Sequence, residues 1–120
     1  MKRIAAINLA ALCVLASPST ADPVKDAMRE NIRLFDELVT CSRDPRFSEH
    51  GVSRAGPCGD WHDRVSEADE RQTGRDILFA GGGCLAGELF TASNGLVFGD
   101  RERFNYVNEL IDECREIVGR

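Results

Sequence analysis

The chain has no C-x-x-C pair, no nucleophile-elbow serine with an oxyanion loop, no internal repeat and, past its first residues, no long apolar run. The first absence removes the usual spacing of a cysteine zinc site, and the second removes a Ser-His-Asp hydrolase. Lacking repeats and low-complexity tracts, the chain offers no solenoid or linker signal. Histidine is scarce, with only His50 and His62. A transition-metal site would have to combine them with Glu49 and Asp60 across a loop, a spacing that gives no support.

The one apolar run, Ile4 to Ala16, follows Lys2 and Arg3 and precedes Pro18 and the small residues to Ala21. At this length it falls short of the about 20 residues that span a bilayer, and it has the three-part pattern of a secretory signal peptide cut before Asp22. Residues 1–21 are therefore expected to be a leader, and 22–120 a single helical domain without a transmembrane segment, periplasmic or secreted. Loss of Lys2 and Arg3 leaves 13 of the 15 basic residues against 20 acidic ones, a net charge of −7. Phosphate backbones are repelled by such a surface, so nucleic acid is not an expected partner. Acidity of this size keeps a small protein soluble or complements a basic protein surface.

Cys13 leaves with the leader, and Cys41, Cys58, Cys84 and Cys114 remain for an oxidising compartment. Four cysteines admit three pairings. Cys41 and Cys58 flank the most turn-rich segment, which favours Cys41–Cys58 with Cys84–Cys114.

Helical periodicity dominates the rest, so the expected fold is all-α, a small disulfide-stapled bundle of about four helices around a Gly-rich central helix. Asp22 and Pro23 start a helix whose Val24, Ala27, Met28, Ile32, Phe35, Leu38 and Val39 share a face and which ends near Cys41. Ser42 to Pro57 has Pro45, Gly51, Gly56 and Pro57 and no apolar period, and is expected to be a loop. Asp60 then caps a short helix with a Trp61, Val65, Ala68 stripe. Asp100 caps another with Phe104, Val107, Ile111, Cys114 and Val118 on one seam.

Between these lies Ile77 to Phe90, "ILFAGGGCLAGELF". Gly81, Gly83 and Ala86 spell G-x-G-x-x-A, but a dinucleotide site needs a strand before and a further sheet after, and only 34 residues follow Ala86. Read as a phosphate loop, Gly82 to Glu88 has a carboxylate where the lysine should stand. A central helix from Asp76 to Ser93, stopped at Asn94-Gly95, is the expected use of this stretch; a kink at the glycine triplet is the alternative.

Two functional readings follow. The loop carries Arg43, Arg46, Phe47, His50 and Arg54, a basic exception in an acidic chain, with Phe47 as an apolar anchor; Arg43, Arg46, Phe47 and Arg54 are the expected contacts of a protein partner. This describes a binding protein of the inhibitor, immunity or chaperone kind, without cofactor. The alternative arises from Cys58-Gly-Asp-Trp-His-Asp63 with Asp76 and Phe79 as D-x-x-F, which loosely resembles the small secreted phospholipases A2. That resemblance implies a calcium-dependent hydrolase in which His62 activates water, Asp76 orients it and Asp63 binds calcium. Here three residues separate the cysteine from the histidine where that family has two, and the family's glycine-rich calcium loop has no counterpart.

Overall fold

The computed structural model describes residues 22–72 and 84–119. Five helices follow one another in these segments: α1 (Pro23–Cys41), α2 (Phe47–His50), α3 (Trp61–Gln72), α4 (Glu88–Phe98) and α5 (Arg101–Gly119). No strand occurs among the described residues. The expected leader, residues 1–21, and the glycine triplet Gly81–Gly83 lie outside them.

α1 begins as its sequence dictates. Asp22 accepts hydrogen bonds from the Val24 and Lys25 amides at 3.0 and 3.2 Å, and Pro23 follows at the first helical position, where its missing N–H costs nothing. Met28, Leu34, Phe35 and Leu38 are buried on one face, with Val24, Ile32 and Val39 packed at its edges. α3 packs on α1 with Trp61, Val65 and Ala68 inward, while α5 packs on both α1 and α4 with Val107, Ile111 and Cys114 inward. Trp61 is held at both ends: its Nε1 donates to the Leu34 carbonyl at 2.7 Å, and its ring meets Phe90 edge-on at 6.2 Å. Phe35 stacks on Phe104 at 5.6 Å. Full burial of each such side chain contributes about 1.5–3 kcal/mol.

Two disulfides pair Cys41 with Cys58 and Cys84 with Cys114, the expected connectivity. The first fastens the end of α1 to the turn before α3, and the second fastens the approach to α4 onto α5.

The central helix departs from expectation at both ends. Among the described residues it begins at Glu88, preceded by irregular chain at Cys84 and Leu85 and a turn at Ala86 and Gly87. Side chains from two other helices have taken the backbone groups a helix would use. Asn31 Nδ2 donates to the Cys84 carbonyl at 3.0 Å, and the Ala86 amide donates to Gln72 Oε1 at 3.2 Å. The Glu88 amide, which in a continuous helix would bond the Cys84 carbonyl, donates to Leu85 instead. Asn31 and Gln72 also bond each other in both directions at 3.2 and 3.0 Å, and both are buried. Leu89 and Ala92 point into the core from this helix, Phe90 and Leu96 pack at its edge, and Glu88 sits half-buried in the first turn.

The stop lies at Gly99, not at Asn94-Gly95. Gly99 has φ +69°, and the Asp100 amide bonds the Gly95 carbonyl at 2.8 Å, closing a Schellman-type end. Gly95 is helical and serves contact: a Cβ there would meet the Phe104 amide nitrogen at 2.8 Å and the Asp100 carbonyl oxygen at 2.9 Å. Asp100 then accepts from the Arg103 amide at 3.1 Å and starts α5.

Ser42 to Pro57 is a loop with structure of its own. Turns at Ser42 to Arg46 lead into the single-turn α2, and further turns run to Cys58. Phe47 is 4% exposed and belongs to the core.

Two substitutions test this account. Asn31→Ala strands the Cys84 carbonyl and one Gln72 amide in the interior, and should lower unfolding free energy in urea by about 3 kcal/mol; a loss below about 1 kcal/mol would show that solvent replaces the network. Gly95→Ala gains about 1 kcal/mol of helix propensity but pushes two backbones apart. The net should be destabilising by about 1–3 kcal/mol, and a stabilised variant would contradict the contact.

Candidate functional site

The segment Cys58 to Asp63 is positioned by α3 and the first disulfide, and its side chains diverge. Cys58 is bonded to Cys41 and Trp61 is buried. His62 is exposed, its ring tilted against Phe90 with centroids 4.8 Å apart. Asp63 is engaged by Arg54, whose Nε donates to its Oδ2 at 2.7 Å and whose Nη2 reaches the same oxygen. A guanidinium on that carboxylate opposes a calcium ion there, because like charges compete for one ligand. Asp76, the third member of the phospholipase-like set, lies outside the described residues. The pair His50 Nε2 and Glu49 Oε2, 3.9 Å apart, is as close as a histidine comes to a carboxylate in the transition-metal set. Among the described residues no group of three or more histidine, cysteine or acidic side chains converges as a metal site would require.

The arginine-bearing loop is brought together differently from its reading as a basic surface. Arg46 forms a fork with Asp44, its Nε on Oδ1 at 3.0 Å and its Nη2 on Oδ2 at 2.9 Å, while its own amide donates to Oδ1 at 2.9 Å. These hydrogen bonds from the Arg46 side chain first, and then from its backbone, lower the Asp44 carboxyl from 3.8 to about 2. Arg54 is committed to Asp63, and its pKa is raised by that bond. Arg43 is exposed and has no ion pair among the described residues. Phe47 is a correction: it packs inside, beneath its own loop, and cannot anchor a partner. An aromatic side chain in a loop tied down at both ends by the Cys41–Cys58 bond closes the core instead of meeting solvent.

The exposed apolar surface lies elsewhere. Val97, Phe98 and Tyr106 are 37%, 75% and 53% exposed, the large hydrophobic side chains left outside among the described residues. All three stand on the α4–α5 hairpin. Beside them Gly95, Leu96, Gly99, Arg101 and Phe104 line an open pocket of about 320 Å³. The loop adjoins this end of α4, since a Cβ on Gly51 would touch Val97 Cγ2 at 3.2 Å. The signal was present in the chain: Tyr106 falls among Glu102, Glu109 and Glu113 on the polar side of the α5 wheel, and Phe98 directly precedes the helix-ending Gly99.

No protein-family model matches the chain, and no curated protein or solved structure is detectably similar to it.

The Asp44 fork yields a titration prediction with a definite sign. A depressed carboxyl stabilises the fold above its unfolded value of 3.8, and that contribution is lost as pH falls towards about 2. Both groups are at the surface, so the effect on global stability is small. In carboxyl-detected NMR the Asp44 resonance should titrate near 2 and move back towards 3.8 in Arg46→Ala. An unchanged midpoint in that variant would show that the fork does not exist in solution.

Proposed function

We propose that the protein is an exported helical binding domain that engages another protein through the α4–α5 hairpin. The observation that carries this reading is the concentration of exposed apolar side chains, Val97, Phe98 and Tyr106, on one helical hairpin. Isolated exposed apolar residues need no explanation, but aromatic ones are the side chains that interfaces enrich. A phenylalanine 75% exposed at a helix end contributes little to its own fold.

Rigidity supports the same reading. The Gly95–Phe104 contact, the Gly99 turn and the Asp100 start fix the angle between the two helices, and the Cys84–Cys114 bond ties the approach to α4 onto the middle of α5. A surface fixed before contact loses less conformational entropy on binding. Export is supported by the leader pattern of residues 1–21 and by the pairing of all four remaining cysteines, which is the behaviour of proteins in oxidising compartments. No described helix is long and apolar enough to cross a membrane. The partner's place on the molecule accordingly shifts from the Ser42 to Pro57 loop, whose arginines Arg46 and Arg54 are neutralised by Asp44 and Asp63.

Photo-crosslinking tests the surface. A benzoylphenylalanine in place of Phe98 or Tyr106 should give a discrete adduct in the producing organism's extracytoplasmic fraction, and one in place of exposed Thr40 or Glu70 on α1 or α3 should not. Adducts of equal yield from all four positions, or none from the hairpin, would remove the proposal. Phe98→Ala should abolish the adduct formed from position 106 while shifting the unfolding midpoint by under about 0.5 kcal/mol.

A further inference from the structure

Resting on that hairpin reading, we infer that the partner presents a cationic amphipathic segment, whose apolar side chains meet Tyr106 and whose basic side chains pair with the carboxylates around it. On α5 the residues Glu102, Tyr106, Glu109, Glu113 and Glu116 recur at intervals of four and three, so they form one stripe opposite the buried Val107, Ile111 and Cys114. All five are exposed. From first to last the stripe runs about 21 Å at the helical rise.

Among the described residues the carboxylates of this stripe have no arginine partner, whereas most of the other acidic side chains do. On the other helices and the loop, Glu30 pairs with Arg71, Asp36 with Arg115, Glu37 and Asp60 with Arg64, Asp44 with Arg46 and Asp63 with Arg54. On α5 itself Arg103 turns to Asp100, and Arg115 to Asp36 and Asp112. Among the described residues, Glu102, Glu109, Glu113 and Glu116 have no cationic side chain within ion-pair distance. Glu109 and Glu113 stand one turn apart, as like charges that destabilise a helix. No described cation pairs with either carboxylate, whereas a basic partner would.

Charge complementarity therefore selects the occupant of the apolar surface. An aromatic ring flanked at i−4 and i+3 by carboxylates suits a lysine or arginine side chain, whose stem lies on the ring while its head reaches the acids. Attraction over this length also steers approach, which makes association fast and salt-dependent.

The probe is a synthetic amphipathic helical peptide of leucine and lysine, compared with its leucine–glutamate counterpart by fluorescence anisotropy on the oxidised protein at about 0.15 M salt, where the Debye length is about 8 Å. The lysine peptide should bind saturably and the glutamate peptide should not. Glu109→Gln with Glu113→Gln should weaken binding about tenfold, the loss expected for two ion pairs flanking an aromatic contact. Tyr106→Ala should weaken it comparably. Glu67→Gln with Glu70→Gln, which removes the same charge from α3, should change it by less than about twofold.

Equal losses from the two pairs of variants would reduce the effect to overall charge and overturn the inference, as would no binding of the lysine peptide or equal binding of both peptides. The two proposals fail separately. Adducts from positions 98 and 106 that persist at full yield in Glu109→Gln/Glu113→Gln keep the hairpin as the contact and eliminate a cationic occupant; loss of adducts in the unmodified background eliminates the hairpin itself.

Discussion

Two buried amides, Asn31 in the middle of α1 and Gln72 at the end of α3, set the geometry on which the remaining structure depends. Their reciprocal bonds join the two helices, and their remaining capacity goes to the Cys84 carbonyl and the Ala86 amide. A buried polar group without a partner costs more than its bond contributes when made, so one arrangement of α1, α3 and the Cys84–Ala86 strip satisfies all four groups together. Apolar packing alone would tolerate sliding of these elements, because Leu, Val and Ala surfaces discriminate weakly between registers. Hydrogen-bonded amides in a dry interior do not slide.

The second disulfide acts on the same strip. Cys84 is held by its carbonyl to α1 and by its sulfur to Cys114 of α5, so a single residue links the two longest helices. α4 leaves this point and returns through Gly99 to α5. The hairpin is thus clamped at its base by a covalent bond and at its tip by the close approach of Gly95 to Phe104. The apolar side chains near the tip are exposed because the helices there are fixed by backbone contacts and caps, which leaves Phe98 and Tyr106 unused by the core.

What the chain disclosed in advance follows from the range of the forces involved. Periodic apolar faces are local, and α1, α3 and α5 were legible from them, as were the caps at Asp22 and Asp100 and both disulfides. The ends of α4 were not, because they are decided by groups distant along the chain: Asn31 intercepts a carbonyl 53 positions away, and Phe104 requires a glycine at position 95. Asn31 interrupts an otherwise apolar face of α1 one turn from Met28, from Leu34 and from Phe35, which marks it as a buried partner without saying whose. The loop shows the same limit. Arg46 and Arg54 looked like a positive surface because composition counts charges, while structure pairs them: Asp44 lies two residues away and Asp63 nine. His62 and Asp63 are neighbours in the chain and face different partners in the fold, Phe90 and Arg54.

That pairing also explains why a net charge of −7 over residues 22–120 matters locally and not only as a total. Arginines consumed by Glu30, Asp36, Glu37, Asp44, Asp60 and Asp63 cancel these carboxylates locally on α1, on the first half of α3 and in the loop. Surplus negative charge is left on α3 at Glu67 and Glu70, and on the outer face of α5, where an exposed tyrosine stands within it. Exposed ion pairs contribute little stability each, so their main consequence is to shape the field: they cancel it over much of the surface. An approaching protein would therefore sense the α5 side from a distance of about one Debye length, with apolar surface at hand once the charges have met.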